Sequence, residues 1–433
     1  MVQPVCDPHE YIDELTEAIQ LPQGFRFYVD SLTFVPRERP AKPPLRMNVS
    51  ALISEVKDTT AAGVTTRNRF PGAPVQLTRE RLPAGKIQGV VVNNRIANVA
   101  SPSGYPDAVT VARTFAERFS LPEEQTLSLS TGIIGWQLPV EPMVAAIKAL
   151  PGREGTVVDF ARGIMTTDRY PKVAWNSCRQ GPRLVGVAKG AGMIEPNLAT
   201  MLGFFVTDAQ VDQTTLDRVF RRVVDRTFNT ISVDGDQSTS DTVLLMANGA
   251  SGITLSEEEL EQLLVPVAHE LVLHIVRNGE GTAHVIEVVV RGVSDASLAR
   301  ALGKHIVNSP LVKTAVYGND PNVGRILAAA GDALDQVDPA GRLDANSLCI
   351  HLFDEEVYRN GAFSLDGGRE NRLSDALVAA SFDPALRGCP QIRENVRITL
   401  TFGTDNSDHI PEERVFGSDL SYEYVRENAD YRS

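Results

Sequence analysis

The chain has 433 residues, 42% of them hydrophobic and 22% charged, with a formal net charge of −13 at pH 7. Those proportions are globular, the length allows two or three ordinary domains, and no run approaches the ~18 uninterrupted apolar residues of a membrane span. The acidic balance, with no basic run, argues against a nucleic-acid surface, since phosphate binding needs clustered lysine and arginine.

The opening MVQPVCDPHEYIDEL has the layout of neither a secretion signal nor a transit peptide, so a cytoplasmic location is expected. Residues 1–20 read as a short amphipathic helix ended by Pro22-Gln23-Gly24, and 36–44 as a proline-rich loop with the first core element after it. IQGVVVNN (87–94), TLSLSTGIIG (126–135), ELVLHIVRNG (270–279), HVIEVVVRG (284–292) and VRITLTFG (396–403) are short, rich in β-branched residues and end in Asn or Gly, which predicts strands. Helical spacing covers 106–118, 141–150, 214–228, 256–268 and 295–308, with Ser256 and Glu259 placed as a capping box and Asp295 at a helix start. Adjacent strands at 270–279 and 284–292 favour hairpins and antiparallel or mixed sheets. The expected class is α/β, a layered α-β-β-α sandwich. No period of 20–50 residues repeats, which excludes a solenoid.

Cys6, Cys178, Cys349 and Cys389 are scattered and form no C-x-x-C pair, so they read as free thiols rather than a zinc site or disulfide framework. His269 and His274 lack the i, i+4 spacing of a helical metal site, in a run that looks extended.

The most unusual stretch is VAKGAGMIEPNLATMLGFFVTDA (187–209), where Lys189 precedes two glycines and Pro196-Asn197-Leu198-Ala199 leads into Thr200 and an apolar, strand-like run. On its own, KGAG is a tight loop before a buried element. A phosphate-binding loop is a poor rival, because its lysine follows the second glycine and reaches the phosphates from a helix start.

KGAGMIEPNLATML resembles the self-cleavage segment of the ornithine acetyltransferase family, and the likeness extends along the chain. LPQGF (21–25), TAAGVTTRNR (60–69), STGIIGWQLP (130–139), GIMTTDRYPK (163–172), ISVDGDQSTSDTVLLMANG (231–249), NGEGTAHVIEVVVRG (278–292), VYGNDPNVGRILAAAG (316–331) and SDLSYEYVRENADYRS (418–433) are similar to family motifs in the family order. The resemblance implies an enzyme that moves an acetyl group from N2-acetylornithine to glutamate. It implies cleavage between Ala199 and Thr200 into an alpha chain, 1–199 with residues 1–20 as an extension, and a beta chain, 200–433. Thr200 would then be both nucleophile and, through its freed α-amine, base. Thr131 and Gly132 match the oxyanion-stabilising pair, and Thr166, Lys189, Thr200, Glu280, Asn428 and Ser433 match the substrate-holding positions.

Chemistry agrees with these assignments. A threonine hydroxyl needs an adjacent base, and an α-amine with a pKa of about 8 supplies one. A zwitterionic amino acid needs opposed partners: Glu280 suits the distal ammonium of ornithine, while Lys189, Asn428 and Ser433 offer donors to carboxylates. Taken singly, STGIIG is a strand ending at a turn and Glu280 a solvated turn residue. Asp234, Asp236 and Asp241 match a block that is mostly structural in the family and stay outside the site.

The resemblance calls for no cofactor and no metal. The expected partners are small amino-acid substrates and the chain's own cleavage products, as a dimer of heterodimers, with neither nucleic acid nor membrane. Arg95-Ile96 stands where the family has a small glycine turn, and Glu195, Ser240 and Val323 also depart from the pattern. These changes bear on substrate choice, so a paralogue with another amino-acid donor or acceptor is the main alternative. An amino-terminal-nucleophile amidase or aminopeptidase is a second, and a non-catalytic ligand-binding homologue a weaker third.

Overall fold

In the computed structural model, which describes residues 7–179, 181–195, 201–384, 386, 388–403 and 411–430, the apolar run after position 200 is the strand Leu202–Thr207. All six of its residues are buried. A strand buried on both faces needs cover on both, and period two sends neighbouring side chains opposite ways. Phe204 meets Phe160 with ring centroids 5.3 Å apart, whereas Phe205 meets Phe220 at 5.7 Å and Phe228 at 6.0 Å. Phe160 also packs on Phe27, at 5.3 Å, from the strand Phe25–Phe34.

These rings mark the layers of one compact unit, Asp7–Asn229 with Asp236–Ile275. Its first sheet runs in the order Thr126–Ser130, Gly89–Asn93, Leu45–Ser54, Phe25–Phe34, Glu154–Gly155. Helices Gly104–Phe119 and Val140–Ala149 close one face of it through Val111, Phe115, Met143 and Ile147 against Val49, Ala51 and Val91. Phe160, on the helix Val157–Gly163, fills the space between this sheet and the second. That second sheet runs Thr60–Thr65, Thr242–Ala247, Leu202–Thr207, Arg183–Lys189, Lys172–Ser177. Its far face is covered by helices Gln213–Arg226 and Glu257–Arg277, the latter so close that a Cβ on Gly186 would lie 2.7 Å from Val267. Both sheets mix parallel and antiparallel pairs. The layered α-β-β-α expectation holds for this unit.

The other unit holds Thr230–Gly235 and Val276–Ser433. It is a seven-stranded mixed sheet in the order Ile231–Ser232, Glu412–Ser418, Val285–Arg291, Val396–Thr401, Cys349–Leu352, Glu355–Arg359, Ala362–Phe363. Helices Ala296–Asn308 and Val323–Val337 pack on it through Leu302, Ile306, Ile326 and Ala330 against Val288, Val290 and Ile398.

Two sequence expectations are corrected. Residues 270–277 are helical, the second half of Glu257–Arg277, and no hairpin joins 270–279 to 284–292. The reason is spacing: Leu260, Leu263, Leu264, Val267, Ala268, Leu271, Val272, Ile275 and Val276 are all buried, and this one-faced period overrides the β-branched content. His274 therefore sits on a helix, where Nε2 lies 3.2 Å from Glu270 one turn earlier. The strand Phe25–Phe34 also precedes the proline-rich loop, so the core begins earlier than expected.

The predicted helices elsewhere, the Asp295 N-cap and the Ser256/Glu259 capping box are all present. Among the described residues no helix is long and apolar enough to cross a membrane. Cys178, Cys349 and Cys389 form no disulfide with one another; Cys6 lies outside the described residues.

Candidate active site

Strand register sets the position of the chemistry-bearing segment. Arg183–Lys189 and Leu202–Thr207 pair antiparallel with Lys189 opposite Leu202, and Leu202 also stands opposite Thr242 in the parallel pair beyond. Residues 190–201 thus connect the ends of two neighbouring strands. The connection is tied down on both sides of residues 196–200: Glu195 N–H donates to the Asp236 carbonyl at 3.0 Å, and Thr242 N–H to the Met201 carbonyl at 2.9 Å. Ala199 and Thr200 themselves, like Ser433, lie outside the described residues.

Lys189 Nζ donates to Thr166 Oγ1 at 3.2 Å, so two of the expected residues meet. The organiser of this corner is a residue the sequence reading passed over. Asp168 has a fully buried side chain; it accepts from Gly190 N–H at 2.7 Å, from Thr166 N–H at 3.0 Å and from Lys172 Nζ, whose side chain is also fully buried. Burial alone would raise the Asp168 pKa, but the Lys172 and Lys189 charges and the bonds from Lys172 and Gly190 outweigh it and hold the carboxyl at about 2. Burial lowers the Lys172 pKa, with Asp168 opposing. We read the pair as ionised, because each charge is the other's main compensation. The signal available in sequence was the acid and lysine four residues apart in TTDRYPK.

Asp241, by contrast, is pushed well above the usual carboxylate range by burial, against opposing contributions from Ser238, Lys189 and Thr66. Its Oδ2 has no hydrogen-bond partner among the described residues.

Thr131 and Gly132 follow the strand Thr126–Ser130. Gly132 has φ +130°, and a Cβ there would lie 2.2 Å from the carbonyl carbon of Arg95, so only glycine fits. The facing loop holds this turn: Thr131 N–H donates to the Asn93 carbonyl (3.0 Å), Ile133 N–H to the Arg95 carbonyl (2.8 Å) and Ala97 N–H to the Ile133 carbonyl (2.9 Å). Among the described residues neither the Gly132 N–H nor the Thr131 hydroxyl has an acceptor. Two donors one residue apart with nothing to donate to are what a developing oxyanion requires. Arg95 itself, left-handed at φ +73°, lines a cleft of about 780 Å³ with Arg46, Arg153, Arg162 and Met165.

In the other unit Glu280 and Asn428 meet directly: Asn428 Nδ2 donates to Glu280 Oε2 at 2.9 Å and to the Tyr424 carbonyl at 3.1 Å. Glu280 is 8% exposed, unlike a solvated turn residue. Its turn is pressed onto the start of the helix Tyr422–Ala429, where Ser421 Oγ donates to the Gly281 carbonyl at 2.6 Å. Gly281 has φ +67°, and a Cβ there would lie 2.3 Å from Tyr424 N.

Residues 41–433 match the model of the ArgJ family. The glutamate N-acetyltransferase Oat2 of Streptomyces clavuligerus is 42% identical over 383 residues, covering 88% of this chain and 92% of its own. The arginine biosynthesis bifunctional protein ArgJ of Nitratidesulfovibrio vulgaris is 39% identical over 422 residues, covering 95% and 99%. The glutamate N-acetyltransferase of Methanocaldococcus jannaschii is 38% identical over 399 residues, covering 89% and 94%.

Proposed function

Because the chain belongs to the ArgJ family and is an N-acetyltransferase, we propose that it moves the acetyl group of N2-acetylornithine to glutamate through an ester on Thr200. The observation that carries the reading is the pair of unpartnered donors at Thr131 and Gly132, held by a turn that admits only glycine at its second position.

Maturation comes first. The Thr200 hydroxyl attacks the Ala199 carbonyl carbon, the peptide bond shifts to an ester, and water hydrolyses that ester to leave the Ala199 carboxylate and a free Thr200 α-amine. The chain becomes 1–199 and 200–433. In turnover the α-amine takes the hydroxyl proton as Thr200 Oγ1 attacks the acetyl carbonyl. The tetrahedral oxyanion accepts from Thr131 and Gly132. The proton passes to the departing nitrogen, ornithine leaves, and the α-amine of glutamate attacks the ester by the reverse sequence.

Lys189, held by Thr166, offers its cation to a substrate carboxylate, with Ser433 as a further donor in the family pattern. Glu280 receives the distal ammonium. Both Asn428 amide protons already have acceptors, so Asn428 contributes by fixing the Glu280 carboxylate.

Intact-mass measurement tests the reading. Purified protein should appear as two fragments and Thr200→Ala as one chain. Incubation with N-acetylornithine alone should add one acetyl group to the 200–433 fragment, and double-reciprocal plots should be parallel. An uncut, unlabelled yet active wild type would overturn it.

A further inference from the structure

Cys349, His351 and Glu356 share a face of one hairpin far along the chain from the acetyl-transfer residues. Cys349 and His351 are two apart on the strand Cys349–Leu352, so both point to the same side. The partner strand Glu355–Arg359 carries a bulge: Ile350 pairs with Tyr358, but the next residue, His351, pairs with Glu356. The extra residue re-aims the second strand so that Glu356, rather than its neighbour, stands opposite the imidazole. Cys349 Sγ lies 3.7 Å from His351 Nδ1 and 3.7 Å from Glu356 Oε2, and the three donor atoms fall within 4.8 Å of one another.

The two separations from sulfur are close to those of ligands spaced around an ion. Tetrahedral bonds of about 2.3 Å to sulfur and about 2.0–2.1 Å to nitrogen and oxygen put the donor atoms about 3.5 Å apart. The group has further attributes of a site. Cys349 is buried, while His351 and Glu356 are partly exposed, so an ion has a way in. Glu356 Oε2 also accepts from Arg359 Nε at 2.7 Å, an outer partner of the kind that fixes a ligating carboxylate. One thiolate, one imidazole and one carboxylate form a mixed, borderline-soft donor set, which selects Zn²⁺-like ions over Mg²⁺ or Ca²⁺.

The geometry points to a three-ligand site for a divalent transition-metal ion at Cys349, His351 and Glu356, with water as fourth ligand. On binding, the thiol releases its proton and the ion ties the two strands of the hairpin together. The proposal is independent of the acetyl-transfer reading, since none of the three residues takes part in it.

The test is titration of chelator-treated protein with Co²⁺ alone, followed by absorption. Expected is a thiolate-to-cobalt charge-transfer band that saturates at one equivalent, is bleached by added Zn²⁺ and is untouched by Mg²⁺. Cys349→Ser should abolish the band, while Cys178→Ser and Cys389→Ser keep it. His351→Ala and Glu356→Gln, at partly exposed positions, should each weaken Co²⁺ binding by at least about tenfold with acetyl transfer retained as the sign of an intact fold. A wild type with no band, a band that survives Cys349→Ser, or unchanged affinity in both His351→Ala and Glu356→Gln would overturn the site.

Discussion

Gly132 and Arg95 meet backbone to backbone, at a distance that excludes even a methyl group: a Cβ on Gly132 would sit 2.2 Å from the Arg95 carbonyl carbon and 2.4 Å from its oxygen. Gly132→Ala therefore has to move the turn, and with φ at +130° the new residue cannot keep the old backbone either. The expected result is a fall in kcat of at least about 10²-fold, the usual consequence of losing an oxyanion donor. Thr131→Ala should lower the rate for every acyl donor while leaving the turn in place. Steady-state kinetics with two donors, beside thermal melts, separate the two variants.

Asp168→Asn should destabilise strongly, by about 3–5 kcal/mol, because it leaves the buried Lys172 charge uncompensated. Asp168 also governs acid stability. Its folded pKa of about 2 lies below the ordinary 3.8, so its contribution is complete above the ordinary value and is lost as pH falls towards about 2, on the order of 2 kcal/mol in all. Urea denaturation across that window should show the loss in wild type and its absence in the variant.

Asp241 should behave in the opposite sense. Its folded pKa is raised by burial, so the neutral acid's contribution is full below the ordinary 3.8 and declines as pH rises through the folded value. Asp241→Asn keeps the size without the ionisation. Melting temperatures of wild type should fall more steeply than those of the variant as pH rises above the ordinary 3.8; parallel curves would show that Asp241 does not titrate in the fold.

Glu280→Gln preserves shape and removes charge. With N-acetylornithine, kcat/KM should fall by the equivalent of about 1.5–3 kcal/mol, a charge-assisted bond. An uncharged N-acetyl amino acid should be much less affected. Equal losses would mean that Glu280 does not read the ammonium, and that the natural donor is another amino acid.

Period and punctuation in the sequence were enough for the helices with one apolar face and clear caps, such as Ala296–Asn308 after Asp295. They failed at 270–277, where Leu, Val and Ile favour a strand locally and only the longer 3.6-residue rhythm, begun at Leu260, reveals the helix. The residues proposed for the site were named from motifs, and of these Lys189 meets Thr166 and Asn428 meets Glu280. Asp168 was passed over: an acid and a lysine four residues apart mark it only weakly in the sequence, and its importance lies in three bonds from residues 166, 172 and 190. Cys349, His351 and Glu356 were equally hidden: C-x-H on a strand is no metal signature until a bulge brings a glutamate across from it.

The second sheet of the unit formed by Asp7–Asn229 and Asp236–Ile275 puts an order on the proposed events. A cut before Thr200 divides its strands unevenly: Thr60–Thr65, Arg183–Lys189 and Lys172–Ser177 belong to one product, and the two strands between them, Thr242–Ala247 and Leu202–Thr207, to the other. The products are then stitched along two seams of six residue pairs each. Such an interleaved sheet can be reached from one continuous chain, but separated products would have to find each other and thread two strands into a gap. If the chain is cut as proposed, folding has to come before cutting and the cut form is a one-way product: after denaturation its recovery should be slow, second order in protein and vulnerable to aggregation, whereas uncut Thr200→Ala should refold at a rate independent of concentration.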